Sequence, residues 1–198
     1  MKIVVNNYVT LDGVMQAPGH PDEDRRGGFE HGGWAVPYGD EVMLASAQQG
    51  MAKSGALLFG RLTYEKMRAA WSGQPDDNVF ARVLNERQKY VASRTLEEPL
   101  EWDNSTLLEG DAADAVAELK RRSGDDVVIL GSGDLIRALM GRDLIDEYVL
   151  LIHPVVVGSG RRLFPDDGAF HALKLVDSVA TTTGVVIATY VPSKEEDR

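Results

Sequence analysis

Short apolar runs along the chain alternate with stretches in which apolar residues recur every three to four positions, the mark of strands alternating with helices. Residues 2–11 hold Ile3, Val4, Val5, Tyr8 and Val9 and predict a first strand, ended by Asp12-Gly13. From Asp12 to about Tyr38 the chain is rich in Gly, Pro and Asp, too polar and interrupted for a core element, and its length predicts a lid or binding loop. Helical spacing returns over residues 40–53, leading into a strand at 56–59 and a helix at 63–70. The turn-rich WSGQPDDN, a short helix at 79–85 and strands at 88–92 and 105–108 follow. Residues 111–122 form a helix with Ala115, Val116 and Leu119 on one face and basic residues in its last turn. A strand at 127–130, a helix at 135–140, a long strand at 147–157 and a final strand at 185–191 complete the order. The tail SKEEDR is polar and expected to fray.

Alternating strands and helices followed by strands alone predict an α/β fold of three layers, with a mostly parallel central sheet and antiparallel strands at the C-terminal end. At 198 residues with no internal boundary, residues 1–198 read as one domain with a substantial core. A 43% hydrophobic and 26% charged composition is that of an ordinary globular chain. No stretch approaches the roughly 20 apolar residues of a membrane span, and the N-terminus has no secretory signal pattern, so the expectation is a cytoplasmic protein without a membrane partner. The absence of cysteine excludes disulfides, a thiol nucleophile and cysteine-ligated zinc. A net charge of −10 argues against a nucleic-acid partner but leaves room for a small anion beside Arg61, Arg94, Arg161 and Arg162.

The candidate chemistry lies in two strands that break at glycine and hand over to a helix, GALLFGRLTYE from Gly55 and DDVVILGSGDLI from Asp125. Such turns present backbone N–H groups and a helix N-terminus to a ligand's phosphates. Gly131-Ser132-Gly133 lacks the third glycine of the full dinucleotide fingerprint, where Ile136 stands, but the two turns together point to a nucleotide and so to an enzyme. A third glycine turn, Gly158 to Gly160 with Arg161 and Arg162, reads as a strand-end loop within reach of substrate. His20, Asp22, Glu23 and Asp24 match no standard ligand spacing, so no metal is expected. His153 reads as a hydrogen-bonded core residue, and Phe29, Trp34 and Trp71 as core or as walls for a flat ligand.

Four stretches, YVTLDGVMQAPGHPDED, FGRLTYE, VILGSGDLIRALM and LIDEYVLLIHPVVVGSGRRLFPD, resemble the dihydrofolate reductase fold. They resemble more closely the bacterial group that includes the C-terminal domain of riboflavin-biosynthesis deaminase-reductases. The resemblance implies NADPH as cofactor, a pterin-like or ribosylaminopyrimidine heterocycle as substrate, and a homodimer formed through C-terminal strands such as 185–191. By position it implies that Gly60, Arg61 and Thr63 meet the cofactor's phosphates. Arg61, with Ser93 and Arg94, would face an adenosine 2′-phosphate, for which a guanidinium fork is suited. It implies that Gly131, Ser132, Gly133 and Asp134 hold the pyrophosphate, with a cis bond between Gly131 and Ser132. For the proton that accompanies hydride transfer the resemblance favours a carboxyl of raised pKa. Asp40, after Trp34 and Pro37, is the first candidate, Glu41 a second, and Asp12 at the end of the first strand competes with both.

Each position also has a plainer reading: Arg61 and Arg94 as solvent-facing residues, Asp40 as a helix-starting residue, Asp12 as a turn former and the glycines as a tight turn. RLTYEKMRAAW stands where the riboflavin reductases carry a DDPxLTxR-like stretch, and the first loop is longer and more acidic than a folate reductase needs. These departures single out neither ribosylaminouracil phosphate nor folate as substrate. A nucleotide- or heterocycle-binding module without turnover, and a dihydrofolate reductase proper, are the alternatives.

Overall fold

The computed structural model describes residues 1–75, 77–122, 124–164, 166 and 169–193, without the side chains of residues 51–54. Eight strands form one sheet: β1 (Ile3–Thr10), β2 (Ser54–Gly60), β3 (Gln88–Ala92), β4 (Ser105–Leu108), β5 (Asp126–Leu130), β6 (Glu147–His153), β7 (Leu173–Ala180) and β8 (Val186–Pro192). Their spatial order is β4-β3-β2-β5-β1-β6-β8-β7. Neighbours from β4 to β6 are parallel, and β8 is antiparallel to both β6 and β7. The helices are α1 (Glu41–Lys53), α2 (Arg61–Trp71), α3 (Val79–Glu86), α4 (Ala112–Arg121) and α5 (Gly133–Met140).

Strand periodicity sorts side chains to two faces. Ile3, Val5 and Val9 of β1, Leu58 of β2 and Ile129 of β5 pack under α4 and α5, where Ala113, Val116, Leu119, Ile136 and Leu139 meet them. On the other face Leu57, Phe59 and Val91 pack with Tyr64 of α2 and Leu84 of α3, while Met43 of α1 meets Leu151 and Ile187. The result is three layers, α/β/α. Burying a side chain such as Ile136 or Leu139, each 0% exposed, stabilises the fold by about 1.5–3 kcal/mol. Helix starts are set locally: Asn78 caps α3 through the Ala81 N–H, and Asp111 caps α4 through those of Ala113 and Asp114.

Beyond shifts of a few residues at element ends, the structure differs from the sequence reading at the end of β6 and at β7. β6 stops at His153 because Pro154 has no N–H for the ladder, so the predicted extension to residue 157 is instead a loop bonded back to β1, with the Leu11 N–H donating to the Val155 carbonyl. β7 was not predicted. Seven of its eight residues are exposed and its register breaks between Leu175 and Asp177, which removes the alternation that would mark a half-buried strand. β7 rather than β8 is therefore the outer strand, since β8 is paired on both sides. Residues 194–198 of the tail lie outside the described residues.

The 11–40 segment differs in kind from the polar loop its composition suggests. Two single 3-10 turns (Arg26–Gly28 and Val36–Tyr38) punctuate it. Val14, Ala17, Phe29, Trp34 and Ala35 are buried together as a small core of its own, against Tyr8, Val155 and Val157. Gln16, also buried, organises the interior: its amide nitrogen donates to the carbonyls of Asp24 and Arg26, its amide oxygen accepts from the Arg161 N–H, and its carbonyl accepts from the Trp34 indole at 2.7 Å. A few buried apolar residues and one buried amide thus fold a stretch that reads as loop by composition.

Candidate functional site

The C-terminal ends of β1, β2, β3, β5 and β6 share one edge of the sheet. The chain leaves β1 for β2 on one side and, after returning to β5, leaves it for β6 on the other, so the β1–β5 junction is a switch point of the kind that opens a ligand crevice. There the chain turns from β5 into α5 through Gly131 at φ +59° and Ser132 at φ +56°. A left-handed residue with a side chain costs about 1–2 kcal/mol, so the surroundings must hold it.

Three groups do so. Asn7, buried on β1, clamps Gly131 from both sides: its carbonyl oxygen accepts from the Gly131 N–H at 3.0 Å and its amide donates to the Gly131 carbonyl at 3.1 Å. Thr63 of α2 accepts the Ser132 N–H at 3.0 Å through its hydroxyl. The Ser132 hydroxyl donates to the Leu130 carbonyl and accepts from the Gly60 N–H at 3.0 Å. The two glycine turns read separately in the sequence are therefore one hydrogen-bonded unit of Gly60, Thr63, Gly131 and Ser132. The bond between Gly131 and Ser132 is not cis: among the described residues the cis bond is Glu98–Pro99, and the turn reverses instead through two successive left-handed residues.

Because the Ser132 hydroxyl is engaged elsewhere, it does not cap α5. The amides of Gly133, Asp134 and Leu135 head the helix without intrahelical acceptors, at its positive end. A Cβ built on Gly133 would lie 2.7 Å from the Met15 sulfur, so the bare backbone is covered by one flexible side chain of the 11–40 segment. Backbone amides at the positive end of a helix are a donor set suited to a phosphate-bearing ligand, and the Met15 side chain lies over them. Beside them Asp134 pairs with both Arg137 and Arg161, and the Arg137 guanidinium also reaches the Arg162 carbonyl.

The remaining predicted phosphate ligands sit one strand away. Gly60 pairs with Ala92 in register, which sets Ser93 and Arg94 just beyond the end of β3. The Ser93 hydroxyl accepts the amides of Thr95 and Leu96, closing the turn that carries the exposed Arg94. Arg61 faces Glu65 one helical turn on, at 3.2 Å, with both side chains about 41–42% exposed.

Of the three carboxyl candidates, Asp40 and Asp12 have lowered rather than raised pKa values, the opposite of what proton delivery calls for. Asp40 caps α1 by accepting the Met43 N–H at 2.8 Å and ties that helix to the β7–β8 turn by accepting the Thr182 N–H at 2.7 Å and hydroxyl at 2.6 Å. The Thr182 bonds, with that from Met43, lower its pKa to about 2. Asp12 accepts from the Thr10 hydroxyl at 2.6 Å and from the Gly158 and Val157 amides, bonds that hold its pKa below the usual carboxylate value. Both are ionised anchors at the two ends of the 11–40 segment: Asp12 fixes the end of β1 to the 158–162 loop, and Asp40 fixes the start of α1 to the last hairpin.

Phe29 and Trp34 belong to the small core of that segment, and Trp71 packs against Phe80 at 4.8 Å between centroids. Gly160, at φ +110°, admits Phe29, whose ring would lie 2.7 Å from a Cβ there. Among the described residues no three His, Cys, Asp or Glu come together as metal ligands. Asn7 and Met15 shape the β5–α5 turn without being among the sequence candidates. An asparagine pair inside an otherwise apolar β-strand was the available signal for Asn7, since a buried amide needs a specific partner. Met15 carried no signal at all.

Comparison with known proteins agrees with this architecture. The chain is 36% identical over 197 residues to the uncharacterized protein YyaP of Bacillus subtilis (strain 168), covering 96% of this chain and 94% of that one. A putative riboflavin biosynthesis protein from Shewanella sp. PV-4 superimposes with a TM-score of 0.70 at 21% identity, covering 98% of this chain and all of that one. Dihydrofolate reductase from Enterococcus faecalis, complexed with NADP(H) and RAB-propyl, superimposes with a TM-score of 0.61 at 13% identity over 98% of this chain and 97% of that one. The fold is thus dihydrofolate reductase-like, and no helix among the described residues is long and apolar enough to cross a membrane. Residues 1–187 match the family model described as the RibD C-terminal domain, and the chain belongs to that family.

Proposed function

We propose that this chain is an NADPH-dependent reductase of a flat heterocyclic small molecule, pterin-like or pyrimidine, working in the cytoplasm as a single domain over residues 1–198. The observation that carries the reading is the clamped Gly131-Ser132 turn, which heads α5 with three amides lacking intrahelical acceptors at the switch point of the sheet. Membership of the RibD C-terminal domain family and likeness to a dihydrofolate reductase complexed with NADP(H) support it.

In this reading Gly133, Asp134 and Leu135 hold the pyrophosphate through backbone amides. Arg94, exposed on a turn closed by Ser93, is the better placed cation for a 2′-phosphate, because Arg61 is already paired with Glu65. Bound NADPH supplies a hydride. Asp12 and Asp40 position the 11–40 segment around the substrate; as ionised carboxylates at neutral pH they hold no proton to deliver, so the proton comes from solvent. The same ionised state favours a second reading, a heterocycle-binding module without turnover. Assay of NADPH oxidation across pterins, dihydrofolate and aminopyrimidines separates the two.

The direct test is calorimetric titration with NADPH and NADH. NADPH binds more tightly than NADH, Arg94→Ala weakens NADPH about tenfold while leaving NADH alone, and Arg61→Ala has the smaller effect. Absence of binding by either nucleotide removes the reductase reading. The homodimer forms through β7, the outer strand of the sheet among the described residues, where Leu175, Val176 and Val179 are 51%, 52% and 45% exposed. A monomeric mass in light scattering rejects it.

A further inference from the structure

His153 ends β6 at the edge of the sheet that carries the candidate site, paired in register with Thr10 at the end of β1. Its ring is 0% exposed and enclosed by three others: Tyr8 at 5.2 Å between centroids, Trp34 at 5.1 Å and Tyr38 at 5.7 Å, the last two edge-on at 84° and 82°. Nδ1 lies 2.9 Å from the Leu151 carbonyl. A carbonyl only accepts, so Nδ1 carries the proton and Nε2 of the neutral ring is a bare acceptor. Burial lowers the pKa of the ring, against the opposing pull of the Leu151 and Val9 carbonyls, and so favours that neutral form.

Nε2 is buried and has no hydrogen-bond partner among the described residues. Among the described residues the other such side-chain atom is the Ser105 hydroxyl on β4, at the far side of the sheet. A buried acceptor without a donor costs about 1–3 kcal/mol, which makes an orphan at a functional edge a place to look for a ligand. The enclosure is also unequal. Tyr8 and His153 belong to paired strands, whereas Trp34 and Tyr38 ride on the 11–40 segment, held by the indole bond to the Gln16 carbonyl and by the Thr183 hydroxyl donating to the Tyr38 carbonyl. Displacing one loop-borne ring opens a flat slot with a fixed aromatic side and a single acceptor in it.

We propose that His153 reads the substrate: its Nε2 accepts a hydrogen bond from a ring N–H or exocyclic amino group of a flat heteroaromatic ring that takes the place of Trp34 or Tyr38 in the box. The identification of that ring as the substrate rests on the reductase reading; the binding geometry does not. The acceptor selects rings that present a donor at this edge over rings methylated there, and it is a specificity residue rather than a proton donor.

The test uses the full chain labelled with nitrogen-15 in its histidines, titrated with uracil, which has two ring N–H donors, and with uracil methylated on both ring nitrogens. Uracil moves the His153 Nε2 resonance in the direction of a hydrogen-bonded acceptor and the methylated ring does not. His153→Phe, which keeps the box filled, weakens uracil by about tenfold or more and holds NADPH affinity within about twofold, while His153→Gln, which restores an acceptor, recovers part of the loss. An unmoved Nε2, equal binding of the two rings, or parent-like uracil binding in a folded His153→Phe overturns the proposal. NADPH binding and oxidation are followed on the same samples: their failure speaks against the reductase reading alone, and their persistence with an unmoved Nε2 removes His153 alone. The spectrum of the unaltered chain needs no variant to fold.

Discussion

The turns that follow β2 and β5 look alike as sequence, each a glycine after an apolar strand and before a helix, yet they differ in what they store. Gly60 sits at φ −78°, an extended conformation open to any residue, and a Cβ there would meet nothing nearer than 3.8 Å. Gly131 and Ser132 are both left-handed, and a Cβ on Gly131 would press on Thr63 at 3.2 Å. The first turn is relaxed and supplies support, through the Gly60 N–H and the Thr63 hydroxyl; the second is strained and is the one that presents free amides. A strained turn persists only when its surroundings over-determine it, and here Asn7, Thr63 and Gly60 do so.

That difference predicts a graded set of effects. The largest comes from Asn7→Leu, which leaves the Gly131 N–H and carbonyl without partners; urea unfolding should show a loss of about 2–3 kcal/mol, and a parent-like midpoint would mean the clamp is not what holds the turn. Gly131→Ala follows, at about 1–2 kcal/mol for a left-handed alanine crowded by Thr63, with nucleotide affinity falling in step. Thr63→Val removes the acceptor of the Ser132 N–H for about 1 kcal/mol. Gly60→Ala should stay within about 0.5 kcal/mol of the parent, and a loss as large as that at Gly131 would erase the distinction between the turns.

The smallest effect is a control away from both turns. The folded pKa of Asp40 is lowered to about 2 from its ordinary value of about 3.8, so between those values the unfolded chain binds more protons and stability rises with pH. The Asp40 contribution is complete above about pH 4 and fades as pH falls towards 2. Asp40→Asn should flatten the unfolding midpoint over that window while leaving the Gly131 and Gly60 variants in the same rank order.

The comparison of the turns also shows how far the site was legible. Glycine before a helix marks where a backbone can come close to a ligand, and on that ground the sequence singles out Gly60, Gly131, Ser132 and Gly133, which the fold brings to one edge of the sheet. Which of the two turns is strained depends on dihedrals that glycine permits but does not dictate, and on an asparagine 124 residues away. Asp40 and Asp12 were legible as charged residues near the site, but the direction of their pKa shifts was not. A carboxylate's proton affinity follows the donors that surround it, and these come from Thr182 and Gly158, which only folding brings to Asp40 and Asp12.

By itself the sequence determined the alternation of elements, the parallel character of the central sheet and the location of the glycine turns, because each rests on local periodicity or on single residues with unusual backbone freedom. It also carried the resemblance that the family match confirms. Tertiary structure alone decided that a Gly- and Pro-rich stretch has a core of its own, that an exposed run becomes the outer strand β7, and that His153 is buried with one nitrogen unpaired. Those features depend on long-range pairing and enclosure, where what a residue meets is set by segments far from it in the chain, and no local pattern records them.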